Sequence, residues 1–251
     1  MNTGIHDATN LVWKLSGTLK GWYGPWVLGS YSSERRLAAR KLIDIDRLGA
    51  AAISGDIPEM YRAVTSSADE AMTKIFTDNI KFNIGLGVSY PESLIAQSPL
   101  AGVIAAGSRG PDVSLQQLGT RITTRLYDVT RAGDRWTLLV FAGQHLLTRA
   151  KFKYLREAAF ERADNKSSYF KLLNWATILV SHTGSAWDAF DGPAIGKLYM
   201  DPTGRAHDAY GFSCETGGLA VMRPDGILGF AAQLEQLEEV EAFFVRLGSQ
   251  S

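Results

Sequence analysis

Cysteine is almost absent from the 251-residue chain, where Cys214 is the only one. A single cysteine cannot form an internal disulfide, a Cys-x-x-Cys redox pair or a cysteine-rich zinc site. This scarcity favours an intracellular setting, and we expect a cytoplasmic protein. For Cys214 itself, the role of a small, partly buried hydrophobe before a strand is favoured over that of a reactive thiol.

The chain also lacks an excess of either charge, with 26 Lys and Arg residues against 26 Asp and Glu residues. No basic footprint for nucleic acid or anionic lipid is therefore predicted. Apolar runs such as Leu172 to Val180 are too short to span a bilayer. The first residues show no basic region followed by an apolar stretch, so no secretory signal is predicted.

Histidines are few, and none shows paired-ligand spacing: His6, His145, His182 and His207. We therefore expect no metal site. The stretch SHTGSAWDAFDGP gathers four groups found in hydrolases: His182, Ser185, Asp188 and Asp191. An ordinary polar loop after a strand is favoured there over a catalytic set, because no Gly-x-Ser-x-Gly elbow accompanies it. Catalytic residues stay unassigned.

Helical periodicity dominates the first third of the chain. Apolar residues recur at helical spacing between Ile5 and Leu19, which predicts an amphipathic helix there. A second helix is predicted across YSSERRLAARKLIDIDRLGAAAISG, capped by Ser32 or Ser33. Its inward residues are expected to be Leu37, Ala38, Leu42, Ile45 and Leu48. A third helix is predicted for residues 67–80.

A different pattern follows a Gly-, Ser- and Pro-rich connector that ends near residue 108. Strands are predicted at ITTRLYDVT, RWTLLVFAG and NWATILVSH, with a helix at LTRAKFKYLREAAFERAD. A hairpin around Arg-Pro-Asp-Gly and a closing helix complete the pattern. We therefore predict an α+β fold, with helices in residues 1–100 followed by a thioredoxin-like α/β domain in residues 101–251. His145 lies where a redox thioredoxin would carry its thiols, so disulfide exchange is excluded at that position.

Several motifs carry a resemblance to a known family. MNTGIHDATNLVWKL closely resembles the last flavin-contacting motif of class A flavoprotein aromatic hydroxylases of the phenol 2-monooxygenase type. YSSERRLAARKLID is similar to the helix that follows it, with Leu37 where the family usually has proline. The segment from GKLYMDPTG to RPDGILGF resembles the end of the family's thioredoxin-like domain. Two stretches that lie between these motifs, GLGVSYPESLI and AGSRGPDVSL, also resemble segments of the family.

The resemblance implies that residues at the start of the first helix bind FAD: Met1, Asn2, Thr3 and Gly4. Unpaired N–H groups and the positive dipole end at a helix start suit the pyrimidine edge of a flavin. From the residues alone, a well-capped helix without a ligand is the favoured interpretation, and the resemblance reverses this preference for the ancestry of the helix. The first helix of the chain is thus identified as the flavin-facing remnant of an FAD/substrate domain.

The family's Gly-x-Gly-x-x-Gly fingerprint is absent from these residues, and GLG at residues 85–87 lacks its third glycine. We therefore expect a truncated FAD- and NADPH-dependent aromatic monooxygenase that binds FAD weakly alone, with Met1 an internal methionine of the ancestor. Its partner would be a second copy or an upstream hydroxylase polypeptide. Two alternatives stay open. One is a non-catalytic association partner of a full-length hydroxylase, and the other is a flavin-free enzyme acting on an aromatic or polyketide-like substrate.

Overall fold

Helices make up the first third of the protein, as the sequence predicts. The computed structural model describes residues 2–98, 100–131, 133–164, 168–181 and 192–248. The first helices are α1 (Asn2–Leu19), α2 (Pro25–Ile53), α3 (Ala68–Asp78) and α4 (Ile80–Asn83). The expected cap at Ser32 or Ser33 is wrong, because α2 begins at Pro25 with Gly24 as its N-cap. Proline suits this first position, since its φ is already helical and its missing N–H has no partner to lose.

The remaining residues build a seven-stranded sheet within the described part of the chain. Its strands are β1 (Ser114–Gln117), β2 (Thr123–Arg125), β3 (Trp136–Gly143), β4 (Leu173–Leu179), β5 (Lys197–Met200), β6 (Gly218–Met222) and β7 (Leu228–Ala232). They lie in the order β2-β1-β5-β4-β3-β6-β7. The helices among them are α5 (Leu126–Thr130), α6 (His145–Asp164), α7 (Arg205–Tyr210) and α8 (Leu237–Gly248).

A thioredoxin-like unit lies at one side of this sheet. Strands β3 and β4 are parallel and joined through α6, while β6 and β7 form an antiparallel hairpin that leads into α8. The predicted α+β fold class and its thioredoxin-like part are confirmed. Strand β3 is buried along its whole length, as its continuous apolar run indicates.

The predicted strand ITTRLYDVT is wrong in its second half. Only Thr123–Arg125 pairs with β1, and Leu126–Thr130 forms α5. The side chain of Asp112 accepts a hydrogen bond from the Tyr127 N–H at 3.0 Å, and so satisfies one free donor of the first turn of α5. This contact comes from outside the segment, so the strand-like composition of the segment gives no sign of it.

Side chains alternate across the central strand and build two cores. Leu138 and Val140 join the core that α6 and α8 cover, while Leu139 and Phe141 join the core on the opposite face. The predicted closing helix corresponds to α8, and its residues Val240 and Leu247 are fully buried. The sheet therefore presents a filled, rigid surface to the helices on each side.

Helix α1 and its following turn pack directly against the first of these cores. The indole N–H of Trp136 donates to the hydroxyl of Tyr23 at 2.9 Å, and the ring of Trp13 meets Trp136 edge-on at a centroid distance of 5.4 Å. Val27 at the start of α2 is fully buried in the same core. The division of the chain at residue 100 stays a prediction, and these contacts cross it.

Helix α1 faces outward with its apolar side. Its exposed side chains include Ile5 (58% exposed), Val12 (62%), Leu15 (41%) and Leu19 (79%). Its buried side chains include two polar residues, Asn10 and Lys14. This is the reverse of an ordinary surface helix, whose apolar side faces the core. The predicted helix is confirmed, but its aliphatic stripe is exposed among the residues that the structure describes.

The Trp136–Tyr23 hydrogen bond gives a direct test of how α1 and α2 are held to the sheet. We expect Tyr23→Phe to lower the free energy of unfolding by about 1–3 kcal/mol, because the buried indole N–H of Trp136 loses its acceptor. The hydroxyl of Tyr31 has no hydrogen bond to a described residue, and Tyr31→Phe is expected to stay within about 0.5 kcal/mol of wild type. Urea unfolding followed by circular dichroism measures both. Equal stability of the two variants would contradict the assignment.

Candidate functional site

The start of α1 is open on the side of Gly4. The helix begins at Asn2, and a Cβ atom placed on Gly4 would meet nothing within 4 Å. The first N–H groups of a helix lack intrahelical partners, and the described first turn holds no acidic side chain. Thr3 lies beside a cavity of about 410 Å³ that Arg35 also lines. Met1 lies outside the described residues, so its flavin contact stays a prediction, as do those of Asn2, Thr3 and Gly4.

A buried cluster of polar side chains fixes the position of α1. We call it the Glu34 cluster, and its members are Asn10, Lys14, Glu34, Ser93, Arg223 and Asp225. Glu34, from α2, accepts two hydrogen bonds from Arg223, at 2.7 and 3.0 Å, and one from Lys14 at 2.8 Å. Each of these three side chains is at most 1% exposed. The cluster therefore joins α1, α2 and the Arg-Pro-Asp-Gly turn in a single network.

Asp225 supplies the second negative charge of the Glu34 cluster. Its carboxylate accepts from Arg223 at 2.6 Å, from the Asn10 side chain at 3.2 Å and from the Trp13 indole at 3.3 Å. The Glu34 cluster then holds two positive and two negative groups, so its formal charge balances. Such balance, together with full hydrogen bonding, is what makes buried charges tolerable.

Burial and neighbouring charges shift the pKa values inside the cluster in opposite directions. Burial alone would raise the pKa of Glu34, but Arg223 and Lys14 hold this pKa well below its usual range. The pKa of Lys14 falls to about 8, because burial disfavours the ammonium more strongly than Glu34 favours it. Glu34 is therefore ionised at physiological pH, whereas the pKa of Lys14, about 8, is close to physiological pH.

Arg35 forms a second connection between α1 and α2, beside the Glu34 cluster. Its guanidinium donates to Asp7 at 2.5 Å, to the hydroxyl of Tyr90 at 2.9 Å and to the backbone carbonyl of Thr3 at 3.4 Å. The first two turns of α1 are thus connected to α2 and to the segment around Tyr90. Positive charge lies near the open start of α1 as a result.

His6 lies between two cavities next to the start of α1. One is the 410 Å³ cavity beside Thr3, and the other has about 580 Å³ and is also lined by Arg109. Burial lowers the pKa of His6, with further lowering by Arg109 and Arg35. Gly85 has a φ of 82°, and a Cβ there would come within 2.4 Å of His6 Nε2, so the close approach requires glycine. These effects favour the neutral form of His6.

The other candidates from the sequence lie apart from α1. Cys214 is half-buried, and burial together with Asp208 raises its pKa, which argues against a reactive thiolate. His145 begins α6 and is half-buried. The loop that contains His182, Ser185, Asp188 and Asp191 lies outside the described residues. Within the described ranges, no group of three or more His, Cys, Asp or Glu side chains could hold a metal ion.

The sequence did not indicate the buried roles of Lys14 and Arg223, or the role of His207. His207 is fully buried, and its Nδ1 lies 2.9 Å from Asp201 while its Nε2 accepts from the Gly143 N–H at 3.0 Å. The Nδ1 atom therefore carries the proton, and the ring fixes the end of β3. One signal for Lys14 was present, because Asn10 and Lys14 share a helix face at i, i+4 opposite the apolar stripe.

Family models match both ends of this architecture. Residues 88–251 match the phenol hydroxylase, C-terminal dimerisation domain, and residues 1–46 match an FAD binding domain. The second match covers α1 and most of α2.

Several curated proteins are similar to almost the whole chain. The FAD-dependent monooxygenase hkm7 of Aspergillus hancockii is 24% identical over 97% of this chain and 47% of its own length. The phenol 2-monooxygenase fsqG of Aspergillus fumigatus is 26% identical over 99% of this chain and 45% of its own length. The chain thus spans just under half the length of these relatives.

Solved structures share the fold. The flavin-dependent monooxygenase PieE matches 98% of this chain and 44% of its own chain, with 21% identity and a TM-score of 0.63. RebC soaked with K252c matches all of this chain and 41% of its own, with 21% identity and a TM-score of 0.56. Sequence similarity at this level supports the fold alone.

The Glu34 cluster predicts a large effect of a small substitution. Glu34→Gln is expected to lower the free energy of unfolding by about 3–5 kcal/mol, because Lys14 and Arg223 stay buried with one negative charge fewer. Glu157→Gln is the matched control, since Glu157 is exposed and its contact to Lys153 is 3.9 Å long. Denaturant unfolding curves measure both. A small change for Glu34→Gln would show that the cluster does not hold α1 in place.

The lowered pKa of Lys14 predicts a pH dependence of stability. Between about pH 8 and the ordinary lysine value of 10.5, the unfolded chain holds more protons at Lys14 than the folded chain, so the free energy of unfolding rises with pH. The raised pKa values of Tyr90 and Cys214 act in the opposite direction as the pH rises. Lys14→Met separates these effects, because both proteins share the other groups.

We therefore expect the wild-type free energy of unfolding, minus that of Lys14→Met, to increase between about pH 7.5 and pH 9.5. Urea unfolding at several pH values measures this difference. A constant difference across the window would contradict the placement of a charged Lys14 in the cluster.

Proposed function

Because the chain belongs to the phenol hydroxylase C-terminal dimerisation domain family, we propose that it acts as the C-terminal part of an FAD-dependent aromatic monooxygenase. In this role it contributes one wall of the flavin site and the association domain. The similarity to FAD-dependent monooxygenases across nearly the whole chain supports the proposal. The single observation that carries it is the orientation of α1, which has an open start and an outward apolar side.

The outward side of α1 needs a protein surface to cover it. Burying one large aliphatic side chain contributes about 1.5–3 kcal/mol, and four such side chains stand exposed: Ile5, Val12, Leu15 and Leu19. Because the Glu34 cluster holds the polar side of α1 inward, the helix cannot rotate to hide them. The FAD binding domain match ends within α2, and the relatives are about twice as long as this chain. The expected cover is therefore the nucleotide-binding half of such a monooxygenase.

The residues at the start of α1 fit one edge of FAD. Free N–H groups of the first turn and the positive end of the helix dipole suit the pyrimidine oxygen and nitrogen atoms, and the space beside Gly4 leaves room for approach. FAD, when bound, supplies the oxygen-transfer chemistry. This chain would orient it through Met1, Asn2, Thr3 and Gly4 and would keep Arg35 nearby to stabilise negative charge.

The same family membership guides our proposals for the association of the protein, its substrate and its location. We propose a homodimer through residues 88–251, the region that matches the dimerisation domain. Of the helices that the structure describes, none combines the length and apolar character needed to cross a bilayer. The substrate would be an aromatic small molecule and the reductant NADPH, and the cytoplasmic location stays a prediction.

A non-catalytic association partner is the second candidate function. The extent of the two matches favours it, because the dimerisation domain match covers residues 88–251 whereas the FAD binding domain match covers only residues 1–46. In that case the chain would pair with a full-length hydroxylase through the sheet domain and would not complete a flavin site. Co-purification with such an enzyme, without a gain in flavin binding, would distinguish this role.

Complementation tests the proposed function. We expect the purified chain alone to be colourless after incubation with FAD and removal of the unbound FAD, and to retain flavin absorbance when the same procedure includes a separately expressed nucleotide-binding half of a relative such as fsqG. The triple substitution Val12→Ser, Leu15→Ser and Leu19→Ser is expected to weaken this assembly at least about tenfold, because three apolar contacts are lost. The stability of the chain alone should not fall, since these side chains are already exposed.

The matched control is Val245→Ser, which removes an exposed apolar side chain from α8 instead of α1. It should assemble as well as the wild type. Stoichiometric yellow FAD in the chain alone, or normal assembly of the triple variant, would overturn the proposal.

A further inference from the structure

A cavity of about 580 Å³ lies between the first turns of α1, helix α5 and the Arg-Pro-Asp-Gly turn. We call it the Arg109 cavity. Its apolar walls include Ile5, Pro224 and the ring of Tyr127, and its polar lining includes His6 and Arg131. The volume is within the range of sites for small organic molecules.

The side chain of Arg109 is fixed in position, but its hydrogen-bond donors are not all paired. Its backbone bridges to Ile227, and a Cβ on Gly226 would lie 3.4 Å from Arg109 Nη1, so the guanidinium packs against the turn. Its Nε atom is buried and has no hydrogen-bond partner among the described residues. The Nη1 atom has only a long contact to the hydroxyl of Tyr127, at 3.4 Å. A buried N–H donor without an acceptor carries a penalty that a bound acceptor would remove.

The charges around the cavity leave a positive excess. Asp225 is the acidic residue in the lining, and its carboxylate is already bonded to Arg223, Asn10 and Trp13. Arg109 and Arg131 form no ion pair with any described residue. A positively lined concave site attracts a negatively charged ligand more strongly than an isolated exposed cation does.

The geometry points to the Arg109 cavity as a binding site for a small aromatic carboxylate, with the Arg109 guanidinium donating to the carboxylate. An arginine fork matches the two oxygens of a carboxylate, and the ring of Tyr127 with the apolar side chains of Ile5 and Pro224 suits an aromatic ring. The site lies beside the flavin-facing end of α1 but uses other residues. Its test needs neither FAD nor a partner chain, so it can fail while the proposed function holds, and the reverse.

Benzoate is the probe, and benzamide is its neutral counterpart of the same shape. Methyl NMR spectra of the full chain are recorded during titration with each compound. We expect benzoate to shift the methyl signals of Ile5 and Thr9, and benzamide to bind at least about tenfold more weakly, because a charged pair is replaced by a neutral one. Leu86 lines a separate cavity that Arg109 also borders, and its signal should stay in place.

Variants then assign the effect to Arg109. Arg109→Gln is expected to weaken benzoate binding at least about tenfold, and Arg109→Lys to give an intermediate loss because the charge remains without the fork. Arg47→Gln, which removes an exposed arginine on α2, should leave the affinity within about twofold. Circular dichroism checks that each variant is folded.

Four results would overturn the assignment. They are no benzoate binding, equal binding of benzoate and benzamide, signal changes at Leu86 instead of Ile5, and equal affinities of Arg109→Gln and Arg47→Gln. The comparison of the two probes on the unaltered chain decides the matter even if Arg109→Gln does not fold.

Discussion

Glu34 is a carboxylate on α2 that is removed from water and bonded to Lys14 of α1, Ser93 of the connector and Arg223 of the β6–β7 turn. These partners lie as far as 189 positions away in the sequence. Removing Lys14 or Arg223 would leave the buried carboxylate without one of its compensating charges, a much larger penalty than the loss of an exposed ion pair. The cluster therefore sets one geometry for α1 against the sheet, and the rest of the candidate site depends on that geometry.

The orientation of α1 follows from this constraint. A helix with Asn10 and Lys14 on one side and aliphatic residues on the other would normally bury the aliphatic side. Here the polar side is inward because Glu34 and Asp225 lie beneath it, so Val12 and Leu19 face outward. The chain thus satisfies these charges internally and leaves the aliphatic side of α1 exposed. A single hydrophobic core could not produce this arrangement, because burial of apolar area alone would rotate the helix.

The sequence predicts the elements better than their contacts. The continuous apolar run of β3 and the Arg-Pro-Asp-Gly turn are local features, and both were predicted correctly. The helical conformation of Leu126–Thr130 is supported by a hydrogen bond to Asp112, and the composition of the segment itself gives no sign of this contact. The same holds for the site. The periodic pattern predicts the helix from Ile5 to Leu19, whereas the burial of Lys14 depends on Glu34 and Arg223 from elsewhere in the chain.

The electrostatic potential at the start of α1 is positive, because the helix dipole and two arginine side chains all contribute to it. The helix dipole places partial positive charge at its start, Arg35 lies on one side of His6, and Arg109 lies on the other. Asp7 offsets only part of it, since its carboxylate is shared with Arg35 and is partly exposed to water. Burial lowers the pKa of His6, and the positive charges of Arg109 and Arg35 lower it further. The charges of Arg35 and Arg109 disfavour added positive charge here, and by the same physics they favour an electron-rich ring edge or a carboxylate.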